Sequence, residues 1–130
     1  MNTSAKQNLE YLNDCIMEYL DSDYNNFTSF QDALEYVFKL SKKERIIFAI
    51  DEYRYVARSS KSLASTIQLL IDKYKDSFKL MLILCESSMS YMKDHILAYK
   101  APIYGRRTAQ IKYFLLALKK LVITLIILVI

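Results

Sequence analysis

Arg45-Ile46-Ile47-Phe48-Ala49-Ile50-Asp51-Glu52-Tyr53-Arg54-Tyr55 is the stretch whose reading decides the fold. Ile46 to Ile50 are apolar without a break, and two carboxylates follow at once. A short apolar run bounded by charge reads as a strand buried on both faces. Such strands are usually parallel and covered by helices. Their carboxyl ends open onto the crevice where α/β sheets bind ligands. Asp51 and Glu52 therefore read as site residues. The first can hold Mg²⁺, a hard cation that takes oxygen ligands. The second points elsewhere and can orient or activate a water. The same residues also fit a strand that simply ends in solvated acids.

Working outward, Lys79 to Cys85 is a second continuous apolar run. Between the two runs, Leu63, Ile67, Leu70, Ile71 and Tyr74 recur at helical spacing. Strand, helix, strand makes a βαβ unit, so the two strands are expected to be parallel neighbours. Glu86, Ser87 and Ser88 then lie beside Asp51 and Glu52. Both serines can donate to a phosphate or a water, and both can cap the next helix, which carries Met89, Met92, Ile96 and Leu97. Tyr53 and Tyr55 can stack on a base or pack the loop onto the sheet. Ahead of the first strand, Leu9, Leu12, Ile16, Tyr19 and Leu20 mark an amphipathic helix over Ser4–Tyr19. A second helix, capped by Thr28 or Ser29, carries Phe30, Ala33, Leu34, Val37, Phe38 and Leu40.

The chain has 130 residues, 53% hydrophobic and 25% charged, which is one domain's worth of globular sequence. It has only one glycine and one proline. A complete α/β nucleotide enzyme needs more glycines for its turns and phosphate loops. The formal net charge of +4 is uneven, with seven Lys/Arg and one Asp from Lys93 onward. A basic end can meet nucleic acid, headgroups or nucleotide phosphates, or be a solvated face. Cys15 and Cys85 lack partners at metal-ligand spacing, and His95 is the only histidine, so zinc is not expected. Buried, reduced cysteines of a cytoplasmic protein are the simplest reading. No signal peptide is visible.

Three segments together carry a resemblance. Ile46 to Glu52 looks like a Walker B segment, Leu80 to Ser88 like a sensor 1 segment, and Pro102-Ile103-Tyr104-Gly105-Arg106-Arg107-Thr108 like the next landmark of one family. In this order they resemble the archaeal-type ATPase family of AAA-like P-loop ATPases, over about Asn8 to Lys112. The resemblance implies an ASCE-type α/β three-layer sandwich, with parallel strands flanked by helices, and ATP with Mg²⁺ as cofactors. It implies that Asp51 supports the metal, that Glu52 polarises the water and that Ser87 or Ser88 senses the γ-phosphate. Arg106 or Arg107 would meet nucleotide phosphate, in cis or from a neighbouring subunit. Arginine offers a planar fork of donors for that role. Without the resemblance, a glycine turn with solvated arginines is the simpler reading.

The family's phosphate-binding loop is absent, because the single glycine is Gly105. No cradle of backbone N–H groups is therefore present for the phosphates. Glu86 stands where the family has glycine and is expected to repel a nucleotide. Residues 1–112 thus read as a partial ATPase domain, inactive alone. Residues 113–130, a Lys/Leu/Ile-rich apolar tail, read as aberrant, the string an AT-rich gene gives after a frameshift. Without the phosphate-loop strand, the Lys79–Cys85 strand is expected to have an unpaired edge. Two other functions fit the residues. One is a non-hydrolysing module that pairs with an intact relative. The other is a membrane-surface protein held by the tail, whose Lys119 and Lys120 interrupt a run too short to span a bilayer.

Overall fold

The computed structural model describes residues 4–22, 26–117 and 121–129, with side chains through Lys112. Lys119 and Lys120 lie outside the described residues. Helix α1 (Ala5–Leu20) starts on Ser4, whose Oγ accepts from the Gln7 amide, and stops at Asp21 in the left-handed conformation (φ 49°). Helix α2 (Phe30–Leu40) is capped by Ser29, whose Oγ accepts from Asp32 N and donates to the Asp32 carboxylate. Strand β1 (Ile46–Ile50) leads into a short helix α3 (Tyr53–Ser59), where sequence patterning reads only aromatics and a loop. Helix α4 (Leu63–Tyr74) returns the chain to strand β2 (Leu80–Glu86). One α-turn, α5 (Met89–Tyr91), and one π-turn, Met92–Ile96, replace the longer helix expected there.

β1 and β2 pair in parallel, Ile46 opposite Leu80 through Ile50 opposite Leu84, as the strand–helix–strand order predicts. The other edge of β2 is not open. The chain's last segment folds back as β3 (Ala109–Ala117) and β4 (Leu121–Val129), and β4 pairs antiparallel with β2 from Ile83–Val129 to Glu86–Ile126. The sheet order is β1-β2-β4-β3. The expected unpaired edge is thus satisfied by the backbone of the tail, and the edges of the sheet are β1 and β3.

The core gathers on one face of the sheet. Leu80, Leu82 and Leu84 of β2 and Ile46 of β1 are buried there against Leu34, Phe38, Ile67 and Leu70 of α2 and α4. The opposite face carries Ile47, which is 65% exposed, and Met81 and Ile111, each 43% exposed. This corrects the expectation of strands buried on both faces. A continuous apolar run fixes the strand but not the number of faces covered. Cys15, read as buried, is exposed, and Cys85 is partly covered; neither is in a disulfide.

A polar tie secures α2 to α4. The Glu35 carboxylate accepts from Lys73 Nζ and from the Tyr74 hydroxyl, both at 2.8 Å. These bonds, Lys73 first, hold the Glu35 pKa down to about 2 from an ordinary 4.5. A depressed carboxyl contributes stability that is present above its unfolded pKa and lost as pH falls through the folded one. Stability is therefore expected to fall between about pH 4.5 and pH 2. In a pH series of urea melts, Glu35→Gln should flatten that part of the profile; an unchanged acid limb would refute the tie.

Candidate functional site

Asp51 and Glu52 stand at the carboxyl end of β1, and Glu86, Ser87 and Ser88 at that of β2. The parallel register brings the two ends side by side. Ser87 Oγ donates to the Glu52 carboxylate, 3.3 Å from one oxygen and 3.4 Å from the other. The Asp51 carboxylate accepts from the Glu52 amide at 2.9 Å. Ser88 takes the capping role: its Oγ accepts from Tyr91 N at 3.3 Å. The two serines thus divide the roles that the sequence leaves open, Ser88 to the backbone and Ser87 to the acid.

Glu52 adopts φ 48° and ψ 47°, a left-handed conformation uncommon for a residue with a side chain. Its strain of roughly 1 kcal/mol or more is held by the ladder on one side and α3 on the other. The turn redirects the chain at the end of β1, where the Asp51 carboxylate bonds the Glu52 amide and the Glu52 carboxylate meets Ser87.

Glu86 does what the sequence reading did not assign to it. Its side chain is fully buried. One carboxylate oxygen accepts from Arg54 N at 2.9 Å and the other from Ser88 N at 2.7 Å. Arg54 Nε lies 3.9 Å away. The carboxylate therefore clamps the turn after β1 to the turn after β2, and it faces inward rather than toward a ligand. The signal was present: Leu80, Leu82, Leu84 and Glu86 share the parity of the buried face. Arg54 is the other residue that sequence reasoning missed. Its guanidinium stacks 4.8 Å from the centre of the Tyr55 ring and donates to the Tyr55 hydroxyl. Beneath it, Tyr53 is buried with its hydroxyl unpartnered, and burial raises its pKa.

Arg106 and Arg107 lie elsewhere. Arg106 makes a two-pronged bond to Asp72, Nε to Oδ1 at 2.9 Å and Nη2 to Oδ2 at 2.7 Å, and also donates to Pro102 O. This holds the Arg106 pKa above and the Asp72 pKa below their ordinary values, chiefly through that hydrogen bond. Arg107 donates to Gln110. Both line a cleft of about 550 Å³ with Lys75 and Tyr104, near the end of α4 that leads into β2. The acids sit at the opposite ends of the strands. Gly105, at φ 77°, makes the turn that presents the arginines. The structure brings together Asp51, Glu52 and Ser87 and leaves Arg106 and Arg107 apart from them.

An apolar cleft of about 270 Å³ opens beside Asp51, between α1, α2 and β1. No group of three or more His, Cys, Asp or Glu that could hold a metal exists among the described residues. Mg²⁺ is commonly held by one or two carboxylates together with nucleotide phosphates. Asp51 and Glu52 supply that number of carboxylates and no more. No helix among the described residues is long and apolar enough to cross a membrane.

No protein-family model matches the chain, and no solved structure matches it. It is 36% identical over 70 residues to "Uncharacterized protein MJECL04" of Methanocaldococcus jannaschii, covering 54% of this chain. The match spans 16% of that relative's length.

Two substitutions test the clamp. Glu86→Ala leaves the half-buried Arg54 and Ser88 amides without their acceptor and should cost about 2–4 kcal/mol, with Glu86→Gln losing less because one acceptor remains. Tyr53→Phe removes a buried hydroxyl that has no partner and should be neutral or stabilising by about 1 kcal/mol. Denaturant midpoints at constant m-value check both. A stable Glu86→Ala variant would show that the clamp does not support the fold.

Proposed function

We propose that this chain is part of an archaeal-type, AAA-like P-loop ATPase domain. It carries the acidic side of the nucleotide site without the phosphate cradle, and it does not hydrolyse ATP alone. The observation that carries this reading is the assembly at the carboxyl ends of two parallel strands. Asp51 follows β1, and Glu52 beside it is hydrogen-bonded to Ser87 from β2. In this reading Asp51 holds Mg²⁺ shared with the nucleotide, Glu52 polarises the attacking water, and Ser87 rather than Ser88 faces the γ-phosphate. Carboxylates at that position suit phosphoryl chemistry because the protein's task there is positioning and charge stabilisation. Arg106 or Arg107 would serve a nucleotide on a neighbouring subunit, since both stand away from the acids of their own chain. The activity belongs in the cytoplasm, where ATP is abundant and two unpaired cysteines stay reduced.

One observation favours a second reading, a non-hydrolysing module that pairs with an intact relative. Beside β2, where the resemblance puts the phosphate-loop strand, β4 is already hydrogen-bonded. A phosphate loop could then come only with displacement of β4. The membrane-anchor reading has no comparable support, because the backbone of the tail pairs within the sheet.

The purified chain, mixed with ATP and Mg²⁺, should release no phosphate above the level of its Glu52→Gln variant. Turnover that Glu52→Gln abolishes would contradict the proposal that it is inactive alone.

A further inference from the structure

Strand β1 is an edge strand, and a groove made of two adjoining clefts lies between it and helices α1 and α2. The groove has two halves. One is lined by Tyr11 and Cys15 of α1 with Phe48 to Asp51, the other by Cys15 and Tyr19 of α1 with Ile46 to Phe48. Cys15 and Phe48 are the residues common to both. The two halves are therefore arranged about a centre, with a tyrosine four residues away on either side along the helix. Tyr11 is 55% and Tyr19 58% exposed, and Cys15 is exposed. Large rings left in solvent along an open strand edge mark a surface that a partner covers.

The strand's own geometry says which partner. Ile46 N donates to Lys79 O, so the polar groups of Ile46, Phe48 and Ile50 face β2. Those of Ile47 and Ala49 then point out of the sheet. An antiparallel copy of β1 centred on Phe48 sets Ile47 opposite Ala49 of the other copy, and the two outward pairs exchange N–H···O bonds. The same register sets Arg45 opposite Asp51 of the other copy, and does so twice. Both residues are exposed, and neither forms an ion pair within its own chain among the described residues. Glu52 has by then turned away into α3 and toward Ser87. Beneath the strands, the two α1 helices meet antiparallel, Tyr11 against Tyr19, with the two Cys15 at the axis. An isologous interface requires this self-complementarity about one centre.

We infer that this chain forms a two-fold dimer through its β1 edges and α1 helices, joining two four-stranded sheets into one. The occupant of the groove is a second copy of the chain. The inference does not depend on nucleotide chemistry.

Sedimentation equilibrium should give twice the 15.3 kDa of the chain. A short bismaleimide should link two chains through Cys15 in the Cys85→Ser variant, and not through Cys85 in the Cys15→Ser variant. Ala49→Pro removes an outward N–H without touching the β1–β2 ladder and should yield a monomer. Because a proline can also unfold β1, a charge swap supplies the second test. Arg45→Asp should shift the mass toward monomer, and Arg45→Asp with Asp51→Arg should restore the dimer. A monomeric wild-type chain would overturn the inference. A dimer linked through Cys85 and indifferent to Ala49→Pro would overturn it too, because Cys85 shares the open sheet face with Met81 and would report face-to-face stacking instead.

Discussion

The parallel ladder of β1 on β2 is the constraint from which the rest follows. Two parallel strands end at the same rim, and the chain must turn after each of them without leaving backbone amides unpaired. Glu86 meets that need. Its buried carboxylate accepts from one amide after β1 and one after β2. With the turns fixed to each other, Glu52 is held in a left-handed conformation and within hydrogen-bond reach of Ser87. The arrangement of the acids is thus a consequence of how the strand ends are closed, and a charge that looked hostile to a nucleotide is spent on the backbone.

The sheet is covered by helices on one face, and that asymmetry shapes the molecule's surface. Ile46, Leu80, Leu82 and Leu84 meet the helices, while Ile47, Met81 and Ile111 face away from them. A sheet of this composition has two exposed liabilities, its free edges and its uncovered face. The tail covers the second side of β2 by pairing β4 with it, which leaves β1 and β3 as the two edges of the sheet. The β1 edge keeps its outward polar groups, with the exposed side of α1 beside it.

Much of this was legible in the sequence, for physical reasons that differ by residue. The two apolar runs and the helical spacing between them gave the parallel pair, because burial of a βαβ unit leaves few alternatives. Ser29 and Ser88 were readable as caps from their place before helical patterns. The adjacency of Asp51, Glu52 and Ser87 followed from the pairing alone. The orientation of Glu86 was also legible, from its parity with Leu80, Leu82 and Leu84, although a charged residue at a buried position runs against the usual burial of carboxylates. The pairing of Arg106 with Asp72 was not legible, since it joins residues far apart in the chain through a loop without periodicity. Nor was the role of the tail: an apolar segment carries no mark of whether it meets lipid, water or an open strand.

The central claim is that Glu86 holds the two strand ends together and so builds the acidic site. Native-state hydrogen exchange of two amides tests it most directly. Arg54 N and Ser88 N lie in turns, yet both donate to a buried carboxylate. If the account holds, they exchange as slowly as the amides of the β1–β2 ladder. Exchange at the rate of exposed loop amides would contradict it, and the two acids after β1 and Ser87 after β2 would then stand at strand ends that move independently.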